Sequence, residues 1–141
     1  MYQKDFIMRM IQMIAEVIAR ILGLIKEGDP EQANLILENA YRDFLKEDAS
    51  FFRNMPKEKL TDDLLTEHNY TNGHLKILSE LFFAEGELNF AKGDMEISLN
   101  YYEKSLLILT FSEESSNAFS LSSEAKSNLL KEKIETIKCR I

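Results

Sequence analysis

The two histidines, His68 and His74, are the side chains best suited to metal binding or to proton transfer near neutral pH. Their spacing of six residues would place them on different faces of a helix. A zinc site takes three or four ligands, and only Glu67 and Glu80 stand close enough in sequence to join the histidines. We therefore predict no metal site and interpret both histidines as surface or capping residues.

The other reactive side chains form no recognisable catalytic arrangement. Asp62 and Asp63, like Glu113 and Glu114, are neighbours in sequence, whereas acid–base catalysis needs two carboxyl groups in different environments of one cleft. Cys139, the single cysteine, lacks an evident base that would activate it. No phosphate-binding glycine loop and no nucleophile-elbow motif occurs. We predict that the chain is not an enzyme and binds no cofactor.

The elements that would position any site are helical. From Ser79 to Leu109, apolar residues recur at helical spacing on both sides of Gly93. Gly93 fits the left-handed position just after a helix end, and Asp94 fits the N-cap of the next helix. Two helices with so short a connection pack antiparallel. The sequence therefore predicts a helical hairpin in this stretch.

This hairpin resembles a tetratricopeptide repeat, a unit of two helices with small and aromatic residues at fixed positions. The positions that carry the resemblance are Phe82, Gly86, Ser98, Tyr102 and Ser105. The positions that depart from the pattern are Glu85, Asn89 and Thr110. The resemblance implies that Gly86 lies at a close helix crossing.

A second copy of this unit precedes the first along the chain. Gly28, Asp29 and Pro30 give the same stop-and-start signal, and the helix that follows matches the repeat better than the apolar run Phe6–Ile25 before it. We predict a single all-α domain over residues 1–141, a right-handed stack of antiparallel helical hairpins with about six helices. The hairpins span about 6–46 and 74–110, with an irregular connector over 47–73, a loop over 112–123 and a capping helix over about 121–138.

Composition restricts the partners. The net charge of −7 argues against nucleic acid. A transmembrane helix is the main alternative for Phe6–Ile25, but two arginines and one glutamate within it argue against a membrane span. One cysteine permits no internal disulfide, which fits a cytoplasmic protein. The start of the chain is also similar to an uncharacterised family of small bacterial proteins with tetratricopeptide-like helices, which implies no activity.

The resemblance implies a non-enzymatic protein-interaction module, since the first helices of such repeats line a concave binding face. The residues implied for this face are Ile18, Leu22, Ile25, Phe83, Glu87 and Phe90. An apolar or basic protein or peptide partner is expected there. The alternative function is a small regulator or carrier that binds an apolar ligand, such as a fatty acyl chain, in the groove.

Self-association is a further expectation, because the apolar surface of Phe6–Ile25 is wider than one partner helix covers. Met10, Met13 and Ile14 are the expected face of a homodimer. The alternative is that the connector or the last helix folds back over this surface within one chain.

Overall fold

The computed structural model describes residues 2–116 and 121–141, with side chains for residues 6–61, 63–114 and 123–141. The described residues form seven α-helices, so the all-α prediction is confirmed. A 3₁₀ turn at Lys57–Lys59 lies within the connector. In chain order the helices are α1 (Tyr2–Lys26), α2 (Pro30–Leu45), α3 (Ala49–Arg53), α4 (Asp62–Glu67), α5 (Asn72–Ala91), α6 (Met95–Ser116) and α7 (Leu121–Arg140).

Both predicted hairpin turns are built as the sequence indicates. Gly28 ends α1 with φ of +83° and Gly93 ends α5 with φ of +86°, a left-handed conformation that glycine adopts without a Cβ clash. The carboxylate of Asp29 accepts a hydrogen bond of 3.2 Å from the backbone N–H of Gln32, which caps α2. Pro30 occupies the first turn of α2, where a backbone N–H has no acceptor within the helix, so the N–H that proline lacks is not missed.

Small residues bring α5 and α6 close together. A Cβ on Gly86 would lie 2.5 Å from the ring of Tyr102, so the predicted close crossing is confirmed. Ser98 donates a hydrogen bond of 2.7 Å to the carbonyl of Gly86, and Ser79 and Ser105 each donate to the other's carbonyl. Because every hydroxyl has a partner, these buried serines cost little to desolvate.

The helices stack in one layered order. α1 packs against α2 and α5, α5 packs against α2 and α6, and α7 packs against α6. A Cβ on Gly73 would collide with a methyl group of Ile7, so α1 and α5 approach closely near their first turns. The largest fully buried side chains of the shared core include Ile14, Ile21, Leu37, Tyr41, Leu45, Phe52, Leu75, Ile77, Phe82 and Tyr102.

Two predicted loops are partly helical. The loop predicted over 112–123 is wrong at residues 112–116, where α6 continues, while its centre, 117–120, lies outside the described residues. Helix α7 begins at Leu121, as predicted for the capping helix. Ser112 is buried, and its hydroxyl donates a hydrogen bond of 3.0 Å to the carbonyl of Leu109. The polar side chain is therefore satisfied inside the helix. Gly73, predicted to lie in a loop, falls within α5, where its bare Cα lets Ile7 approach.

The expected homodimer face on α1 does not exist as one surface. Met10 and Ile14 are buried within the chain, and only Met13, at 50% exposure, faces out. The reason is that α5 packs against α1, and Ile14 lines the same groove as Ile77 and Leu109. The fold-back alternative is wrong about which element covers α1. The helix that packs most closely on α1 is α5, and not the connector or α7.

Candidate functional site

The two histidines come together in an aromatic row, although their sequence spacing suggests opposite faces. His74 stacks on Tyr70 with ring centroids 5.0 Å apart, and His68 lies 6.2 Å from the same ring. His74 also caps α5, because its Nδ1 accepts a hydrogen bond of 3.1 Å from the backbone N–H of Thr71. Burial lowers the pKa of His74 below its ordinary value of 6.5. The capping interpretation is therefore confirmed for His74.

The remaining candidates for chemistry are dispersed. Glu80 pairs with Lys126 instead of approaching a histidine, and Glu67 is exposed at the end of α4. Among the side chains that the structure describes, no group of three histidine, cysteine or acidic residues is arranged to hold a metal ion. Asp63 is half-buried, while the side chain of Asp62 lies outside the described residues. Glu113 and Glu114 lie on α6, and Cys139 is exposed on α7.

Glu85 is a carboxylate buried where α2, α3 and α5 meet, and sequence reasoning missed its role. It accepts hydrogen bonds from the hydroxyl of Tyr41 at 2.9 Å and from Nε of Arg53 at 2.5 Å. The guanidinium of Arg53 also donates 2.9 Å bonds to Glu38 and to Asn34. Burial raises the pKa of Glu85, although Arg53 opposes that rise. The sequence signal was the acid at a position where the repeat pattern has leucine.

This Glu85 network, comprising Asn34, Glu38, Tyr41, Arg53 and Glu85, acts as a structural clamp. Each hydrogen-bonding nitrogen of the guanidinium is committed to a partner on α2 or α5. The arrangement therefore fixes α3 instead of presenting a reactive group.

A buried cation, Lys104, holds the next part of the connector. Lys104 on α6 donates a 3.0 Å hydrogen bond to the carbonyl of Met55. Its ammonium group lies 5.8 Å and 5.5 Å from the ring centroids of Phe82 and Tyr101, within range of cation–π attraction. Burial lowers the pKa of Lys104.

The residues predicted for a concave face are only partly accessible. Ile18 and Phe83 are buried, while Leu22, Ile25, Glu87 and Phe90 are half-buried. Helix α7, predicted as a cap, runs over the α5 part of this face, with Nζ of Lys126 3.6 Å above the ring of Phe83. Glu87 and Phe90 instead line a cleft of about 300 Å³ beside α7, together with Tyr102, Leu129, Glu132, Lys133 and Thr136. The six predicted residues thus do not form one surface.

An open groove lies between α1, α5 and α7, at the end where these helices begin. Its volume is about 280 Å³. Its floor is formed by the buried side chains Ile14, Ile77 and Leu109, and its walls by Ile11, Ala15, Lys76, Glu80, Ser123 and Lys126. We call this surface the α1–α5–α7 groove.

The groove is apolar at its floor and has two lysines and one glutamate among its walls. Nζ of Lys126 lies 3.4 Å from a carboxylate oxygen of Glu80. Lys76 makes no ion pair with any side chain that the structure describes. The arrangement can accept an apolar side chain and a neighbouring polar group.

Comparisons with known proteins do not assign this chain to a family. No protein-family model, no curated protein and no solved structure matches it. Within the described part of the chain, no helix combines the length and the apolar character needed to cross a membrane.

Proposed function

We propose that this chain is a non-enzymatic protein-interaction module that binds an unidentified protein or peptide partner in the α1–α5–α7 groove. The observation that supports the proposal is the groove itself, an accessible depression with an apolar floor of Ile14, Ile77 and Leu109. Grooves of this kind hold the apolar side chains of a bound segment while polar walls fix its orientation.

The wider interpretation belongs to the same proposal. The resemblance of Phe82, Gly86, Ser98, Tyr102 and Ser105 to a tetratricopeptide pattern supports a binding role, because stacked helical hairpins of that family present extended surfaces to partners. A small bacterial protein of the cytoplasm, without catalytic, nucleic-acid-binding or membrane-spanning function, fits this role.

The test fills the groove at an exposed position. Peptides are selected from a displayed library of random sequences on the wild-type chain, and their affinities are measured for Ala15→Arg and for Asn100→Arg. Ala15 borders the groove, whereas Asn100 is exposed on α6 away from it. We expect Ala15→Arg to lower the affinity for the selected peptides by about tenfold or more, while Asn100→Arg leaves that affinity unchanged.

Selected peptides that bind all three chains equally would place the binding surface elsewhere. Failure to enrich any peptide above an unrelated helical protein would contradict an interaction role. Circular dichroism must show that both variants keep the wild-type helix content.

An apolar-ligand carrier is the second candidate, favoured by the apolar floor of the same groove. The volume of about 280 Å³ lies near the lower end of small-molecule sites, so only a short ligand would fit. Dodecanoate provides the probe. A rise in melting temperature of the wild type, absent in Ala15→Arg, would favour the carrier over the peptide-binding module.

A further inference from the structure

The contact between α5 and α7 is a ladder of charges and rings with a repeat of seven residues. Lys126 and Lys133 on α7 pair with Glu80 and Glu87 on α5 at 3.4 and 3.1 Å. The cations lie over aromatic faces at the same spacing. The ring contacts join Lys126 to Phe83, Lys133 to Tyr102 and Arg140 to Phe90. We call this set the α5–α7 ladder.

The ladder shows that α5 and α7 run parallel, because both partners of the second ion pair lie seven residues beyond those of the first. It also shows that the covered side of α5 is acidic and aromatic. Phe83 and Phe90 present ring faces, and Glu80 and Glu87 present carboxylates beside them. An acidic and aromatic strip of this kind is complementary to a helix whose cations recur every seventh residue.

The attachment of α7 depends on few apolar side chains. Leu130, Ile134 and Ile137 are its buried apolar residues among the side chains described. The ion pairs of the ladder remain partly open to water, with side-chain exposures of 18% to 32%, so separating them costs less than separating a fully buried pair. By comparison, α1 buries Met10, Ile14, Ile18 and Ile21 and contacts two helices along its length. Release of α7 is therefore expected to cost less than release of α1.

We propose that the surface of α5 and α6 beneath α7 is a docking site for a basic amphipathic helix of a partner protein, which binds in place of α7. The partner helix would carry cations at positions i and i+7, matching Lys126 and Lys133. It would carry apolar residues at i+4, i+8 and i+11, matching Leu130, Ile134 and Ile137. The chain's net charge of −7 favours encounter with such a helix.

The surface beneath α7 shares Glu80 and Lys126 with the α1–α5–α7 groove, but each proposal stands on its own observation. The groove is open, whereas the ladder surface is largely covered by α7 and becomes fully accessible only when α7 leaves. Phe83, Glu87 and Phe90, which the sequence predicts for binding, belong to the second surface. In the closed chain α7 thus occupies the site and competes with the partner.

The test supplies α7 as a separate peptide to the full-length chain. The probe is a fluorescein-labelled peptide of residues 123–141 with Cys139→Ser, titrated into three chains. Lys126→Gln/Lys133→Gln removes two cations of the ladder and weakens the resident α7. Lys131→Gln/Lys138→Gln is the matched control, because it removes two exposed lysines with the same spacing from the same helix. We expect the first variant to bind the peptide about tenfold or more tightly than the wild type, and the control to bind like the wild type.

A second peptide tests the chemistry of recognition. In it Lys126 and Lys133 are both glutamine, and we expect it to bind the opened chain about tenfold or more weakly than the first peptide. Leu130→Ser opens the site independently, since it removes a fully buried apolar contact of α7. Like the ladder variant, Leu130→Ser should bind the lysine peptide more tightly than the wild type does.

Three outcomes overturn the proposal. The first is equal peptide affinity of the wild type, the ladder variant and Leu130→Ser, with all three helical by circular dichroism. The second is a glutamine peptide that binds as tightly as the lysine peptide. The third is a two-chain mass of the opened variants in light scattering, which would assign the site to a second copy of this chain. None of these outcomes changes the comparison of Ala15→Arg with Asn100→Arg at the groove.

Discussion

Replacement of Arg53 by methionine is the sharpest test of how the connector is held. The side chain of Glu85 is 3% exposed and that of Arg53 is 23% exposed, so their 2.5 Å contact is largely removed from water. Without the guanidinium, Glu85 is a buried charge whose one remaining side-chain donor among the described side chains is the hydroxyl of Tyr41. Removing one partner of a buried pair costs about 3–5 kcal/mol, so we expect Arg53→Met to lower the free energy of unfolding by that amount.

The cost should disappear when the whole pair becomes apolar. Arg53→Met/Glu85→Leu also leaves the hydroxyl of Tyr41 without its acceptor, so the triple variant adds Tyr41→Phe. Glu38 and Asn34 are not fully buried, so water can replace the guanidinium there. We expect the triple variant to lie within about 1 kcal/mol of the wild type, because buried ion pairs replaced by well-packed apolar residues are often neutral or stabilising.

The assay is urea unfolding followed by circular dichroism, with equal slopes required before the midpoints are compared. The pH dependence adds a check. Burial raises the pKa of Glu85 above its ordinary value of 4.5, so the folded chain binds this proton more tightly than the unfolded chain. The contribution of Glu85 to stability therefore increases as pH falls toward 4.5, and the deficit of Arg53→Met should shrink in that direction. A loss below about 1 kcal/mol for Arg53→Met, or a triple variant as unstable as the single one, would refute the reasoning.

Three further predictions concern stability and assembly. Gly86→Leu should lower the free energy of unfolding by about 1–3 kcal/mol, because the larger side chain overpacks the crossing of α5 and α6. Gly93→Val should lower it by more than about 1 kcal/mol, because the backbone there is left-handed. Both changes are measured as shifts in the urea midpoint. The wild type should lose stability relative to His74→Gln as pH falls below 6.5, because the lowered pKa of His74 means that the unfolded chain binds the proton more tightly. A stability difference between the two chains that does not change with pH would contradict this role of the imidazole. Light scattering should give a one-chain mass for the concentrated wild type, because Met10 and Ile14 are buried within the chain; a two-chain mass that Met13→Glu reduces to one chain would contradict this prediction.

Much of the fold could be predicted from local signals in the sequence. Gly28 and Gly93 end helices because a left-handed residue is needed there, and this requirement is visible without any tertiary structure. The helical periodicity of the two hairpins is equally local. The continuation of α6 beyond residue 111 was missed because a run of serine and glutamate resembles a loop, whereas Ser112 satisfies its hydroxyl inside the helix.

The candidate sites were less accessible to sequence reasoning, because they depend on which helices become neighbours. Met10 and Ile14 belong to an apolar run, but the sequence does not show that α5 covers them. Phe83 and Glu87 follow the repeat spacing, yet their burial depends on the path of α7. The seven-residue spacing of Lys126 and Lys133 matches that of Glu80 and Glu87, and this match was the available signal for the ladder.

The contacts of Arg53 and Lys104 are the reason that we propose release of the last helix and not of the connector. Arg53 ties α3 to α2 and α5, and Lys104 ties the carbonyl of Met55 to α6. Opening the connector would leave Glu85 or Lys104 buried without its partner, a cost that grows with burial. Opening α7 separates ion pairs that already face water in part, so their charges can be solvated at once. The proposed partner is therefore expected to displace α7 and not the connector.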